Sequence, residues 1–194
     1  AQLALAENDW DLALEGLRRV LRIDAAFPAA HLQVAMVFYK KGDKAAALYH
    51  ANCELAQGQL EEGTLVALGN LYLDLQHLPN AEIAFRRALQ RNGENAAARH
   101  NLAVTLLLSG RSEEGIEQCK LALKSQPGYM LAMHNLALAY LTRRDYRRGR
   151  YWLNRALAQA PDDVQIKGLL TRLRIKSFWH SLGLMIRHFI PRFR

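Results

Sequence analysis

The chain has 194 residues, of which 51% are hydrophobic, and its 26 Lys and Arg residues against 18 Asp and Glu give a formal net charge of +8. It contains no run of about 18 apolar residues, so we predict no transmembrane helix. The sequence has no phosphate-binding loop, His-Glu-x-x-His motif or nucleophile elbow, and we expect no enzymatic activity, no cofactor and no bound metal. Two cysteines and no visible signal peptide favour a cytoplasmic location, with association at a membrane surface left open.

The predicted secondary structure is helical along the chain, with short turns that contain glycine or proline. In chain order, the predicted helices cover residues 1–7, 9–23, 28–41, 44–57, 62–76, 79–91, 96–109, 112–125, 130–143 and 146–159. A further helix is predicted after Pro161, where the side chain of Asp162 or Asp163 can accept hydrogen bonds from free backbone N–H groups.

A leucine recurs every 34 residues along the chain, at Leu21, Leu55, Leu89, Leu123 and Leu157. This period is typical of a structural repeat made of two helices. Small residues recur in the same register in three columns: Ala35, Gly69, Ala103 and Ala137; Ala13, Ala47, Ala81, Gly115 and Gly149; Ala88, Ala122 and Ala156. Because antiparallel helices approach closely only where one carries a small side chain, these columns predict helix pairs that pack in series.

Large, small and proline positions complete the pattern in two stretches of the chain. The positions that match best are Gly69, Tyr72, Ala81, Phe85, Ala88 and Leu89, followed by Leu136, Ala137, Tyr140, Tyr146, Ala156 and Pro161. On these residues the chain resembles the tetratricopeptide repeat family over about residues 1–161. The resemblance implies an all-α fold, a right-handed superhelical solenoid of antiparallel helix pairs with about five repeats and a C-terminal capping helix.

The repeats are expected at about residues 1–27, 28–61, 62–95, 96–129 and 130–161. Counting back from Ala13 places Ala1 within the first helix of repeat one, so we expect that repeat to be truncated at its N-terminus. Residues 162–194 are predicted to form the capping helix and to continue as a basic amphipathic helix. Repeat two carries Glu54 at a usually small position and Ala51 at a usually aromatic one, and we expect local loosening there, or a partner that fills the gap.

In this family the first helices of the repeats line a concave face, so the resemblance implies a peptide-binding groove. Its lining would be Leu32, Gln33, Met36, Tyr39, Val66, Asn70, Leu73, His100, Asn101, Val104, Leu107, Leu108, His134, Asn135, Leu138 and Leu141. Most of these side chains are apolar, and a large exposed apolar patch usually marks a binding site, here for an amphipathic helix or an extended peptide. Alternatively, tighter curvature of the solenoid simply buries them.

Two of the groove asparagines, Asn101 and Asn135, lie in the repeated motif His-Asn-Leu-Ala. The motif resembles the asparagine ladder in the repeats of O-linked N-acetylglucosamine transferase, and a primary amide can hold a peptide backbone because it both donates and accepts hydrogen bonds. Ordinary polar contacts between helices are the alternative. The cationic positions of the family's carboxylate clamp are absent, which disfavours that binding mode. His100 and His134 have no evident third ligand, so no metal site is predicted.

The basic character of the chain belongs to its C-terminal quarter, because residues 143–194 contain thirteen Lys or Arg and three Asp, a net charge of +10. A predicted basic surface is formed by Arg143, Arg144, Arg147, Arg148 and Arg150. A predicted amphipathic stripe follows at Phe178, Trp179, Leu182, Met185, Ile186, Phe189 and Ile190. This stripe could pack on the solenoid, bind a partner or a second copy of the chain, or lie on an anionic membrane. Nucleic-acid binding is disfavoured, since no nucleic-acid-binding module is recognisable.

Together these features predict a non-catalytic adaptor. Its apolar groove would bind a helix or an extended peptide, and its basic end would attract an acidic protein partner. Two alternatives stay open at this point. One is a peripheral membrane scaffold anchored by the C-terminal helix, and the other is the recognition arm of a larger enzyme.

Overall fold

The computed structural model describes residues 9–174, which contain nine helices, a further helical segment at residues 164–174 and no β-strand. The helices are α1 (Trp10–Ile23), α2 (Ala30–Lys40), α3 (Lys44–Leu55), α4 (Glu62–Asp74), α5 (Leu78–Arg91), α6 (Ala96–Leu108), α7 (Ser112–Ser125), α8 (Met130–Thr142) and α9 (Tyr146–Gln159). The helices predicted between residues 9 and 159 agree with these bounds to within about two residues. The predicted helix at 1–7 and the predicted stripe at 178–190 lie outside the described residues.

The helices pack in chain order within two compact units, Ala1–Gln118 and Cys119–Arg194. In the first unit each helix from α1 to α6 packs on the next, and the first helices of successive repeats also touch, since α2 contacts α4 and α4 contacts α6. In the second unit α8 packs on α9. This arrangement of helix pairs is the predicted all-α repeat fold.

The leucine that recurs every 34 residues lies at or near the end of the second helix of each repeat. In the first unit these leucines are partly buried, Leu21 against a cluster around Leu17 and the next two against the cluster around Tyr72 and Phe85. In the second unit the remaining two pack against Leu153 and its neighbours. The column therefore marks where the second helix of each repeat closes over the core of its own unit.

The small-residue columns set how closely paired helices approach. In repeat three, Gly69 on α4 faces the buried ring of Phe85 on α5, and a Cβ atom at Gly69 would lie 2.5 Å from Cε1 of that ring. Only glycine leaves room for the phenyl group at this distance. In repeat two the same two positions hold Ala35 and Ala51, both fully buried, so a smaller partner is matched by a larger facing residue.

Glu54 is an unusual residue for its position, and the loosening expected around it in repeat two is wrong. Its side chain is completely buried, and its carboxylate accepts hydrogen bonds from the backbone N–H groups of Ala29 at 3.0 Å and Leu32 at 3.1 Å. Ala29 is the N-cap of α2, has a positive φ of 60° and has no side chain that can cap the helix. The first N–H groups of a helix lack partners within it and favour negative charge, so Glu54 on α3 supplies the missing cap.

Residues 164–174 cover the core of the second unit, as the predicted capping helix requires. Asp163 begins the segment, because its Oδ1 atom accepts a hydrogen bond of 2.9 Å from the N–H of Ile166. Ile166 is buried with Met133 and Leu153 in one apolar cluster. The segment thereby keeps apolar surface of α8 and α9 away from water.

Within residues 9–174, no helix combines the length and the apolar character needed to cross a lipid bilayer. Both cysteines are free thiols. Cys119 is completely buried, as predicted, and burial raises the pKa of its thiol to about 12.

Candidate functional site

The first helices of the first unit carry a surface that we call the first-helix face. Its members are Gln33, Met36 and Tyr39 on α2, Val66, Asn70 and Leu73 on α4, and Asn101, Val104, Leu107 and Leu108 on α6. Because α2 touches α4 and α4 touches α6, these side chains belong to neighbouring helices of one layer. Met36 is 47% exposed and Leu108 is 64% exposed, so large apolar groups on this layer meet water.

Two of the predicted groove residues are interior residues. Leu32 is 6% exposed and packs in the core cluster of the first unit, and His100 is 9% exposed. Periodicity assigned both to the helix face that points toward the neighbouring repeat, and close packing in that direction buries them. We therefore leave both out of the first-helix face.

Leu107 is half-buried because it is partly used in helix packing. A Cβ atom at Gly115 would lie 2.7 Å from Cγ of Leu107, so this leucine fits against the backbone of the following helix. In the second unit Leu141 fits against Gly149 in the same way, with Cγ 2.7 Å from such a Cβ atom. A polar substitution at either leucine would disturb the fold as well as the surface.

An amide pair joins α4 to α6 on the first-helix face. Nδ2 of Asn101 donates a hydrogen bond of 2.8 Å to Oδ1 of Asn70, and the pair is exposed. This contact is the polar helix–helix interaction that the sequence left as one of two interpretations. A primary amide has two N–H donors and a carbonyl with two lone pairs, so the pair keeps hydrogen-bonding capacity toward solvent.

The remaining predicted groove residues lie on α8 in the second unit. Leu138 is exposed, whereas His134, Asn135 and Leu141 are half-buried. Among the described residues no group of three or more His, Cys, Asp or Glu side chains is arranged to hold a metal ion.

The predicted basic surface lies at the start of α9 in the second unit, and its five arginines are all exposed. Arg148 pairs with Asp145 at 3.5 Å, and its guanidinium carbon lies 5.5 Å from the ring centroid of Tyr140. The sequence analysis missed Arg155, whose guanidinium carbon lies 5.4 Å from the Trp152 ring centroid. Its spacing of four from Tyr151 on one helix face was the available signal.

Charge is divided between the two units. Residues 119–174 contain eleven Lys or Arg and three Asp, a net charge of +8, whereas residues 9–118 contain eleven Lys or Arg and fourteen Asp or Glu, a net charge of −3. The basic surface therefore belongs to a unit with few acidic side chains to neutralise it.

Arginines of the first unit are used within the fold, which the sequence did not reveal. Arg111 donates to both carboxylate oxygens of Glu82, at 2.9 and 2.7 Å, and to those of Glu114, at 2.7 and 2.6 Å. Arg86 donates to Glu82 as well, at 2.8 Å. Burial opposes ionisation of Glu82, but the hydrogen bonds from Arg86 and Arg111 outweigh it and hold its pKa below the ordinary value.

A histidine pair joins α2 to α3 in the first unit. Nδ1 of His31 and Nδ1 of His50 lie 2.9 Å apart, so one ring donates a proton to the other. Phe38 stacks on the second ring with centroids 5.6 Å apart. Burial, followed by the charges of His31 and Arg18, lowers the pKa of His50.

Comparison with known proteins supports the repeat assignment. The tetratricopeptide repeat family matches residues 66–129 and 122–164, which together span about half of the chain. Tetratricopeptide repeat protein 21B of Mus musculus is 26% identical over 161 residues, which are 83% of this chain but only 12% of that protein. The chain thus spans about an eighth of the length of this relative.

Solved structures show the same fold. YrrB, described as a TPR protein with an unusual peptide-binding site, superposes with a TM-score of 0.74 at 20% identity over 87% of both chains. The first TPR of Spaghetti (RPAP3), solved with a bound HSP90 peptide, superposes with a TM-score of 0.57 at 16% identity over 60% of this chain and 92% of that one. The 34-residue period, the buried columns of small residues and these matches agree: the chain belongs to the tetratricopeptide repeat family.

Proposed function

We propose that this chain is a non-catalytic scaffold that binds a helix or an extended segment of another protein on its first-helix face. Tetratricopeptide repeats serve protein–protein interaction in general and are typically non-catalytic. Two of the structurally similar proteins are described with a peptide-binding site or a bound peptide. These likenesses support a protein partner and do not identify it.

One observation carries the proposal, namely the exposed apolar side chains beside an amide pair on neighbouring first helices. Met36 and Leu108 are large, apolar and about half or more exposed, which is unfavourable unless a partner covers them. The Asn70–Asn101 pair adds donors and acceptors that can bond a peptide backbone of any sequence. Apolar contact would supply affinity, and the amides would orient the bound segment.

The charge of the second unit supports an acidic partner. A net charge of +8 over residues 119–174 attracts acidic segments from a distance and raises their rate of association. The proposals of self-association and of membrane anchoring rest on residues 178–190, which lie outside the described residues, and we do not develop them.

The test uses peptides selected against the wild-type chain from a display library of amphipathic helices, with affinity measured by calorimetry. Leu108→Glu should weaken binding about tenfold or more, because it places a charge where an apolar side chain would be covered. Met36→Glu should act similarly. Asn101→Ala should weaken binding less, because water replaces part of the lost hydrogen bonding.

Tyr49→Glu is the matched control. Tyr49 is 65% exposed and apolar in bulk, but it lies on α3, a second helix, so this substitution should leave affinity unchanged. The proposal would be refuted if Leu108→Glu and Met36→Glu both bound as tightly as the wild type. Circular dichroism of each variant checks that the helices remain folded.

A further inference from the structure

A shallow cleft in the second unit brings two arginines together. Arg150 and Asn154 on α9, and Leu170 and Arg174 on the 164–174 segment, line this cleft. Arg150 and Asn154 are four residues apart, so they lie on the same side of α9. The cleft therefore presents two guanidinium groups and a primary amide beside one apolar side chain.

Acidic side chains do not account for this arrangement within the described residues. The carboxylates of residues 119–174 are Asp145, Asp162 and Asp163, and none of them lines the cleft. Asp145 accepts from the N–H of Arg148 at 3.0 Å, and Asp163 caps the following segment. Asp162 pairs with Lys167 at 3.3 Å. The acidic groups of this unit are thus engaged elsewhere.

Arginines with a structural role look different in this protein. Arg87 in the first unit donates to the carbonyl oxygens of Leu55, Gln57 and Gly58 at 2.6 to 3.1 Å, which holds the end of α3. On α9, in contrast, Arg155 rests against aromatic rings. A ring contact uses the face of a guanidinium and leaves most of the N–H donors at its edge available to an anion.

We propose that Arg150, Asn154 and Arg174 form a binding site for a phosphate monoester carried by a protein partner. A phosphate monoester has a charge of about −1.5 to −2 at neutral pH and three strong acceptor oxygens. Two arginines balance that charge, and each can bond two oxygens through its planar fork. The amide of Asn154 adds a further N–H donor, and Leu170 can contact the carbon chain that bears the phosphate.

The preference for phosphate over carboxylate follows from charge and geometry. A single carboxylate brings one charge and two oxygens, and it would leave one of the two guanidinium groups uncompensated. That the phosphate belongs to a protein rests on the proposed function. The composition of the site itself requires only the dianion.

The test is an NMR titration of the full chain with the peptide Gly-Gly-phosphoserine-Gly-Gly, its aspartate analogue and inorganic phosphate. The Nε–Hε signals of Arg150 and Arg174 should shift with the phosphopeptide, which should bind about tenfold more tightly than the aspartate peptide. Arg150→Gln and Arg174→Gln should each weaken the phosphopeptide about tenfold. Arg150→Lys should weaken it less, because the charge remains and only the fork is lost.

Arg172→Gln is the matched control, since Arg172 is an exposed arginine of the same segment that does not line the cleft. It should bind the phosphopeptide as the wild type does. Equal affinity for the two peptides, or an equal loss in all three glutamine variants, would overturn the proposal in favour of diffuse charge attraction. Binding of anionic lipid vesicles by a chain that ignores the phosphopeptide would also overturn it.

The result is separable from the proposed function. Leu108→Glu alters the first-helix face of the other unit and should leave the phosphopeptide titration unchanged. Binding of inorganic phosphate without the phosphopeptide preference would refute the specific site while leaving the first-helix face untested by this experiment and its own peptide assay intact. Thermal unfolding of each variant separates loss of the site from loss of the fold.

Discussion

Gly69→Ala changes the closest helix–helix approach in repeat three. A Cβ atom there would lie 2.5, 2.6 and 2.7 Å from three carbons of the Phe85 ring, against about 3.5–4.0 Å for a normal carbon contact. The ring is completely buried, so it must move about 1 Å into packed neighbours. Overpacking of this kind costs about 1–3 kcal/mol, and the better helix propensity of alanine returns about 0.5–1 kcal/mol. We expect a net loss of about 1–2 kcal/mol.

The assay is urea unfolding followed by circular dichroism, with thermal unfolding as a second measure. For a chain of this length the expected loss corresponds to about 2–8 °C in Tm. Gly63→Ala is the matched control, because Gly63 lies on the same helix and a Cβ atom there would meet nothing within 4 Å. That control should be neutral or slightly stabilising.

Coupling to the ring gives the decisive comparison. Phe85→Leu alone should destabilise by leaving a cavity, but it should make room for alanine at position 69. The double variant should therefore lose less stability than the two single variants added together. A Gly69→Ala protein as stable as the wild type, or strict additivity in the double variant, would refute the close-packing argument.

Three further predictions concern single residues. Glu54→Ala should cost about 2–3 kcal/mol in urea unfolding, because two N–H groups at the start of α2 lose their acceptor, and Glu54→Gln should cost less; a neutral Glu54→Ala would contradict the capping role. Because the pKa of His50 is lowered from 6.5, its stabilising contribution should be complete above pH 6.5 and be lost as the pH falls below that value. Thermal unfolding across this range should show a flatter profile in His50→Asn, and an unchanged profile would exclude the histidine pair as its source. Cys119, with a pKa of about 12, should resist iodoacetamide in the folded state while Cys53 reacts, as mass spectrometry would show.

Most of the fold was predictable because the information is local or periodic. Helices begin where a short polar side chain precedes them, as Asp43 and Asn95 do with hydrogen bonds of 2.9 and 2.8 Å to the N–H groups of Ala46 and Ala98. Helix pairing follows from small residues that recur every 34 positions, and Gly69 shows the closest of these approaches. Neither signal requires knowledge of distant contacts.

The features that were missed depend on contacts between elements. Glu54 stands out in the column of small residues, but its role appears only when the uncapped start of α2 is placed beside it. Periodicity places Leu32 and His100 on the correct face of their helices, yet it cannot tell how deeply the neighbouring repeat covers them. The approach of Arg174 to Arg150 likewise depends on how the last segment packs.

The matched sizes of Gly69 with Phe85, and of Ala35 with Ala51, have a consequence for how such a chain can be rearranged. Each repeat contains both members of its own pair, so a whole repeat can be duplicated or exchanged without creating a clash inside it. A crossover in the turn between the two helices of a repeat would instead place Phe85 opposite Ala35, where a Cβ atom occupies the space that the ring needs. Viable recombinants should therefore have their breakpoints between repeats rather than within them.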